Sequence, residues 1–565
     1  MLFILNIIKN NHAQGENTKE SIFALFCLQL FISSRTHVKP RMRFSQSIYI
    51  SLRLRLRKET KYSNYFSKNM NVFLLDNNRI HGIVFRLKTN MTILVIKCFY
   101  RRRIINQSCN HLAVFCGILL FDKKNKKILF ISLGCDKNLV DSEVMLGILA
   151  DRGFEMTDTE DDADIIIINT CCFINDAKEE SINTILEMAE YKKTGPCKAL
   201  IVTGCLAQRY KQEIVDEIPE VDAVIGTSKY DEIFDAVDQA LKGSHFLDVD
   251  DLDRLPSVPG KRILTTGGHY AHLKIAEGCD KHCTYCIIPK IRGNYRSVPM
   301  EQLLAEAASL AEQGVKELIL VAQETTLYGM DLYGKKSLHI LLQELAKIKG
   351  IRWIRILYCY PEEIYPELIE TIKNEKKVCH YLDMPIQHAS DAILKRMGRR
   401  TTKAQLKETV SLLRKEIPDI VLRTTLIAGF PGETQEQHEE LMEFVDEMEF
   451  ERLGVFAYSP EENTPAASMP DQIPEEVKEE RRDAILELQQ EIAFDKAADM
   501  VGRTLYAMIE GKVADEPAYV ARTYADSPDI DGYVFVNTGE MLMSGDFVKV
   551  KITGSAEYDL IGELV

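Results

Sequence analysis

Three cysteines in the stretch EGCDKHCTYCIIP, Cys279, Cys283 and Cys286, are spaced CxxxCxxC at the end of an apolar run that reads as a strand. A cube of four irons and four sulfides is normally held by four thiolates. Three thiolates with no obvious fourth leave one iron open, and an open iron can chelate a small molecule. A zinc knuckle is one competing reading, although zinc sites use CxxC pairs or histidine partners and only His282 lies inside this motif. Three core cysteines are the other.

A second set of cysteines is dispersed. The runs KILFISLGC, ADIIIINTC and KALIVTGC end in Cys135, Cys171 and Cys205, and each is followed by an amphipathic helical pattern. Short apolar strands alternating with helices argue for a parallel sheet. In such sheets ligands gather outside the carboxyl ends of the strands, so three thiolates can converge there despite their distance in sequence. Free cysteine is also a common small core residue. That reading is kept for Cys172 and Cys197, which lack the repeated position, although Cys172 stands beside Cys171 as an alternative thiolate.

The elements that must position these groups divide the chain into parts. A loop with Pro256, Pro259, Gly260, Gly267 and Gly268 separates the first sheet from six further strand-like runs. These are HLKIAEGC, ELILVAQE, IRWIRILYC, YLDMPIQH, VLRTTLIAGF and RLGVFAYSP, all but the last followed by a helical pattern. The expected class is α/β: a parallel cysteine-bearing domain, then an incomplete (β/α)6 barrel. Barrel sites sit at the carboxyl ends of the strands. That face collects the three-cysteine loop, Gln323 and Glu324, Gln387 and His388, and the turn from Gly429 to Glu433, though for each polar residue alone turn chemistry or capping competes. After a Glu/Arg-rich helix at 475–498, short alternating runs broken by Gly, Pro and Asp read as a small all-β barrel.

Charge is unevenly spread. The net of −14 combines +18 over residues 1–127 with −32 over the remainder. The basic leader has no small-residue cleavage site after an apolar core. Its apolar runs, Ile22–Ile32 and Leu112–Phe121, are each about half the length that crosses a bilayer, so neither a secretory signal nor a membrane span is expected. The leader reads as upstream sequence translated from a misplaced start, with a transit peptide or a phosphate-binding arm as alternatives. The fourteen cysteines do not form a secreted disulfide framework, and ligand thiolates must stay reduced, which points to the cytoplasm.

CxxxCxxC is the signature of the radical S-adenosylmethionine (SAM) superfamily, and nearly all of residues 127–565 resembles its methylthiotransferase family. The matching positions are LGC at Cys135, NTC at Cys171, GC at Cys205 followed by AQ, and the three-cysteine loop. The domains that follow are 127–245 for the N-terminal methylthiotransferase domain, 246–270 for a linker, 271–498 for the radical SAM domain and 501–565 for a TRAM barrel, with 1–126 outside the pattern. Within the family, SLGCDKNLVDSE, DMPIQHASDAILKRMGR, FAYSPEENTPA and VARTYADSPDIDGYVFVN look like the branch that methylthiolates the β-carbon of an aspartate in small-subunit ribosomal protein twelve.

The resemblance implies two 4Fe–4S clusters. Cys279, Cys283 and Cys286 hold one, which reduces SAM to methionine and a 5′-deoxyadenosyl radical that removes hydrogen from the aspartate β-carbon. Cys135, Cys171 and Cys205 hold the other, with an added sulfide methylated by a second SAM. No catalytic residue is expected beyond these ligands, because a cofactor must carry such chemistry. Tyr285, Gln323, Glu324, Gly429 and Glu433 are expected near SAM. The implied partners are a basic ribosomal protein, a reductase or flavodoxin-type electron donor and a sulfur donor, with no membrane and no requirement for nucleic acid. A tRNA adenosine methylthiotransferase is the rival. Against it stands the net charge of −6 over 501–565, which repels phosphate and suits a basic protein. Asp526, Asp529 and Asp531 are expected to face solvent there. A non-catalytic scaffold is the rival from another class.

Overall fold

The computed structural model describes residues 126–249, 251–257 and 262–565, together with the backbone of three strands upstream. Those strands, β1 (Met70–Asn77), β2 (Ile80–Leu87) and β3 (Leu94–Cys98), pair antiparallel in that order. The reading of 1–126 as a leader otherwise lies outside the described residues. Met1–Asp122 and Lys123–Val565 are separate units, and everything below concerns the second.

Its first sheet is parallel throughout, in the order β5-β4-β6-β7-β8-β9. The strands are β4 (Lys127–Ser132), β5 (Glu155–Thr157), β6 (Ile165–Thr170), β7 (Ala199–Gly204), β8 (Ala223–Ile225) and β9 (Phe246–Asp248). The unbroken run of isoleucines in β6 follows from helices on both faces. Ile166 and Ile168 pack with Ile185 and Met188 of the helix Asn175–Thr194, whereas Ile165 and Ile167 pack with Val144 and Leu149 of the helix Asp136–Asp151. The last strand lies in the stretch read as a linker. At three residues, paired along one edge, β9 is too short to leave a periodic signal.

The second sheet starts with β10 (Tyr270–Lys274). It is followed by the short antiparallel pair β11 (Ala276–Glu277) and β12 (Arg296–Ser297), which frames the cysteine loop. Then come β13 (Glu317–Val321), β14 (Trp353–Ile356), β15 (Val378–Asp383), β16 (Val421–Ala428) and β17 (Arg452–Ala457), running parallel in chain order after β10. Alternation sorts their side chains between two layers. Leu318 and Leu320 meet the helices, while Ile319 and Val321 join Trp353, Leu357, Tyr381 and Val421. The sheet is open, with β10 and β17 as its edges, as an incomplete barrel requires.

A helix over Glu475–Ala498 leads to the closed C-terminal barrel. Its strands β18 (Thr504–Lys512), β19 (Ala518–Thr523), β20 (Val534–Asn537), β21 (Phe547–Ala556) and β22 (Asp559–Leu564) close in the order β18-β19-β20-β22-β21. This barrel seals the amino-terminal end of the six-stranded sheet, away from the cysteine loop. Glu317, with no exposed surface, is held between Arg355 (2.8 Å) and Arg522 (2.7 Å), and Trp353 meets Phe547 edge-on.

The acidic loop does not present all three of its aspartates to solvent as the sequence suggests. Asp526 is buried against Arg452 at 2.6 Å and accepts from the Thr523 hydroxyl. Asp531 accepts from the Tyr381 hydroxyl at 2.7 Å and lies 3.7 Å from Arg423, and Asp529, though exposed, accepts from the Tyr270 hydroxyl at 2.8 Å. Arginines and tyrosines of β10, β15, β16 and β17 consume these carboxylates, so two of the three do not face solvent. Local sequence shows acid runs but not the cations that meet them from far along the chain.

Candidate functional site

The CxxxCxxC loop leaves β11 through Gly278, whose φ is +77°. A Cβ there would stand 2.0 Å from the Asn294 carbonyl oxygen, so only glycine permits the turn. Cys279 N–H donates to the Gly293 carbonyl at 3.2 Å, Thr284 N–H to Met397 at 2.9 Å, and Cys286 N–H to Cys283 at 3.0 Å. Cys279 and Cys283 are buried and Cys286 is half-buried. Burial pushes the Cys279 thiol up to about 12, and the neighbouring Cys283 adds to the effect. Burial likewise raises Cys286, again with Cys283 and Cys279 contributing. Burial thus outweighs the opposing charges of Lys281 and Arg399, and iron bound here would have to displace the thiol protons.

Around this loop the carboxyl ends of the strands carry unpaired polar atoms. Gln323 donates through Nε2 to Glu277 at 2.9 Å, while its Oε1 is buried without a partner. Glu324, with no exposed surface, accepts through Oε1 from Thr326 N–H at 2.8 Å, and its Oε2 is buried and unpaired. Burial pushes the Glu324 carboxyl up to about 7. The Tyr295 hydroxyl is a third buried orphan. Such groups are costly unless a ligand satisfies them.

Tyr285 meets Phe430 edge-on with centroids 6.5 Å apart, and Phe430 meets Tyr458 at 5.2 Å, giving an aromatic wall. The turn of Phe430 needs Gly429, at φ +72°, where a Cβ would lie 2.4 Å from Lys478 Cγ. Glu433 closes that turn by accepting from the Gly429 and Phe430 amides at 2.8 and 3.1 Å and by pairing with Arg481 at 3.0 Å. Burial opposes its charge, but His388, Arg481 and the turn amides hold its carboxyl below the usual range. Glu433 is thus committed to the shape of the turn.

The second set converges on Asn138. Its side-chain amide donates to the Leu133 carbonyl at 3.0 Å and the Thr170 carbonyl at 2.9 Å, stapling the Cys135 loop to the end of β6. A Cβ on Gly134, at φ +86°, would lie 2.8 Å from the Cys171 sulfur, which measures how closely the two segments approach. Cys205 starts a helix directly after β7 and places its sulfur 3.8 Å from Asn138 Oδ1. Cys135 is exposed at the amino end of its helix, whereas Cys171 and Cys205 are buried. Burial raises both Cys171 and Cys205, and each also feels the charge of Cys135. Cys172 is fully buried, and burial pushes its thiol up to about 12. Among the described residues, no three His, Cys, Asp or Glu side chains close into a cage for a single metal ion. A four-iron cube instead spreads its thiolates over separate corners.

A buried polar network that the sequence does not announce links the second set to the helix after the CxxxCxxC loop. Arg292, in the helix after Cys286, donates to Asp141 at 2.9 Å, to Glu277 at 3.2 Å, to Asn138, and to the Cys205 sulfur at 3.4 Å. Lys274 pairs with Asp141 and, at 2.7 Å, with Glu277. Although burial opposes its charge, Lys274 and Arg292 hold the Glu277 carboxyl at about 2. Lys137 packs 3.2 Å over the Tyr358 ring and 2.9 Å from Asp136, beside Cys135. The only sequence signal was a helix, DKNLVDSE, whose polar residues repeat at the spacing of an inner face.

Comparison with known proteins follows this division. Residues 127–226 match the uncharacterized protein family UPF0004, 273–445 the radical SAM superfamily and 501–565 the TRAM domain. The chain is 66% identical over 436 residues to the ribosomal protein uS12 methylthiotransferase RimO of Lachnoclostridium phytofermentans, covering 77% of this chain and 99% of that one. Its identity to the protein of the same name from Acetivibrio thermocellus is 52% over 449 residues, covering 78% and 98%. With that of Clostridioides difficile it is 49% over 439 residues, covering 78% and 99%.

Proposed function

The chain belongs to the family of ribosomal protein uS12 methylthiotransferases, a radical SAM family, and from that premise we propose that it replaces a β-carbon hydrogen of an aspartate in uS12 by a methylthio group. The observation that supports the reading is that Arg292, from the helix after the CxxxCxxC loop, donates to the sulfur of Cys205, so that this helix packs against the second thiol set within one unit. Cys279, Cys283 and Cys286 would hold one 4Fe–4S cluster, and Cys135, Cys171 and Cys205 a second. When bound, the clusters and SAM supply the one-electron chemistry and the methylthio group that no side chain can provide.

The rest falls to the chain's own residues. Gln323 Oε1 and Glu324 Oε2 are free acceptors for the ammonium group of SAM, whose positive charge would favour the ionised form of Glu324. The wall of Tyr285, Phe430 and Tyr458 would offer aromatic surface to the adenine and keep water out of the site. Gly429 and Glu433 hold that wall's turn. A reductase or flavodoxin-type electron donor, a separate sulfur donor and a reducing cytoplasm complete the reading. No helix among the described residues is long and apolar enough to cross a membrane.

Reduced, iron-loaded protein mixed with SAM tests it. The intact chain should release 5′-deoxyadenosine, and the variant with Cys279, Cys283 and Cys286 all changed to Ala should release none while keeping about half the iron. Loss of all iron from that variant while it stays folded would overturn the two-site reading.

A further inference from the structure

Arg292 belongs by sequence to the barrel's cysteine loop, yet its side chain ends at the other thiol set. It is 2% exposed, so its charge needs partners. Its Nη1 edge is neutralised by Asp141 and Glu277, which also share Lys274. The Nη2 edge meets no carboxylate, only the neutral amide oxygen of Asn138 and the sulfur of Cys205 at 3.4 Å. Two positive and two negative groups thus balance on one side, and one directed N–H is left for the sulfur on the other. The planar fork fixes this division; a lysine ammonium could not reach both sides in the same geometry.

Hydrogen bonds to ligand sulfur and local charge are the levers by which a protein sets the potential of an iron–sulfur cluster. We propose that Arg292 is a positioning residue for the N-terminal site, donating to Cys205 so as to favour the reduced state of whatever Cys135, Cys171 and Cys205 hold, while tying that site to the loop of the other. The inference rests on the two-cluster reading above. It adds that an arginine from the helix after the barrel's cysteine loop reaches the N-terminal site, so that segment takes part in setting the electron affinity there.

The test uses the full chain with Cys279, Cys283 and Cys286 changed to Ala, so that only the N-terminal site carries iron. Its midpoint potential is read by redox titration followed by electron paramagnetic resonance. Arg292→Lys should keep its iron and shift the potential negative by about tenfold in electron affinity, about 59 mV for one electron. Asp141→Asn, which uncovers the positive charge, should move it the other way. Unchanged potentials with iron retained would overturn the proposal, leaving Arg292 as structural glue. Loss of iron from folded Arg292→Lys would overturn it too, since the side chain would then hold the site together rather than tune it. A parent variant that binds no iron would remove the two-cluster reading, and this inference with it.

Discussion

Glu324 is the residue whose environment makes the sharpest solution prediction. Its folded value of about 7 lies above the ordinary 4.5, so between these pH values the native chain holds a proton that the unfolded chain has lost. The stabilisation from the neutral carboxyl is complete below pH 4.5 and is lost as pH rises through 7, by up to about 3 kcal/mol. Iron-free Glu324→Gln protein should match the parent in urea unfolding near pH 4.5 and exceed it at pH 8; equal midpoints at both would show that burial exacts no such cost. Gly278→Ala should remove the barrel site's iron, about half the total, because the Asn294 carbonyl cannot give way to a Cβ. Iron analysis with a circular dichroism control reads this directly. The proposed cysteine sets could be picked out from sequence because one has a short spacing and the other sits at successive strand ends. Asn138, Asp141 and Arg292 could not, since their partners lie far along the chain and a charged residue in a helix ordinarily faces water.

At the scale of elements, the longer strands and the helix Glu475–Ala498 follow from apolar runs and periodicity, whereas β5, β8 and β9, at three residues each, leave no pattern to read. Docking of the C-terminal barrel was equally hidden. YADSPDIDG reads as a solvent-facing acidic loop until Arg423, Arg452, Tyr270 and Tyr381 are brought to it. Breaking a buried ion pair costs about 3–5 kcal/mol. Asp526→Asn should therefore lower the thermal midpoint and open the 499–503 junction to limited proteolysis, with little change in the salt dependence of substrate capture. A variant of parental stability with altered salt dependence would restore the solvent-facing role of this loop.

For the whole molecule, the cysteine sites, both sheets and the C-terminal barrel lie in the unit Lys123–Val565, and the matched family segments begin at residue 127. A chain starting at Lys124 should keep its iron content and its cleavage of SAM; loss of either would assign the upstream residues a part in the site. Whether two clusters deliver a methylthio group to a protein is read by mass spectrometry of products after the iron-loaded, reduced protein is incubated with SAM, a sulfide source and either uS12 or tRNA. An aspartate of uS12 should exchange one hydrogen for a methylthio group, and tRNA should be unchanged. Methylthiolated adenosine in the tRNA, with uS12 unmodified, would contradict delivery to a protein.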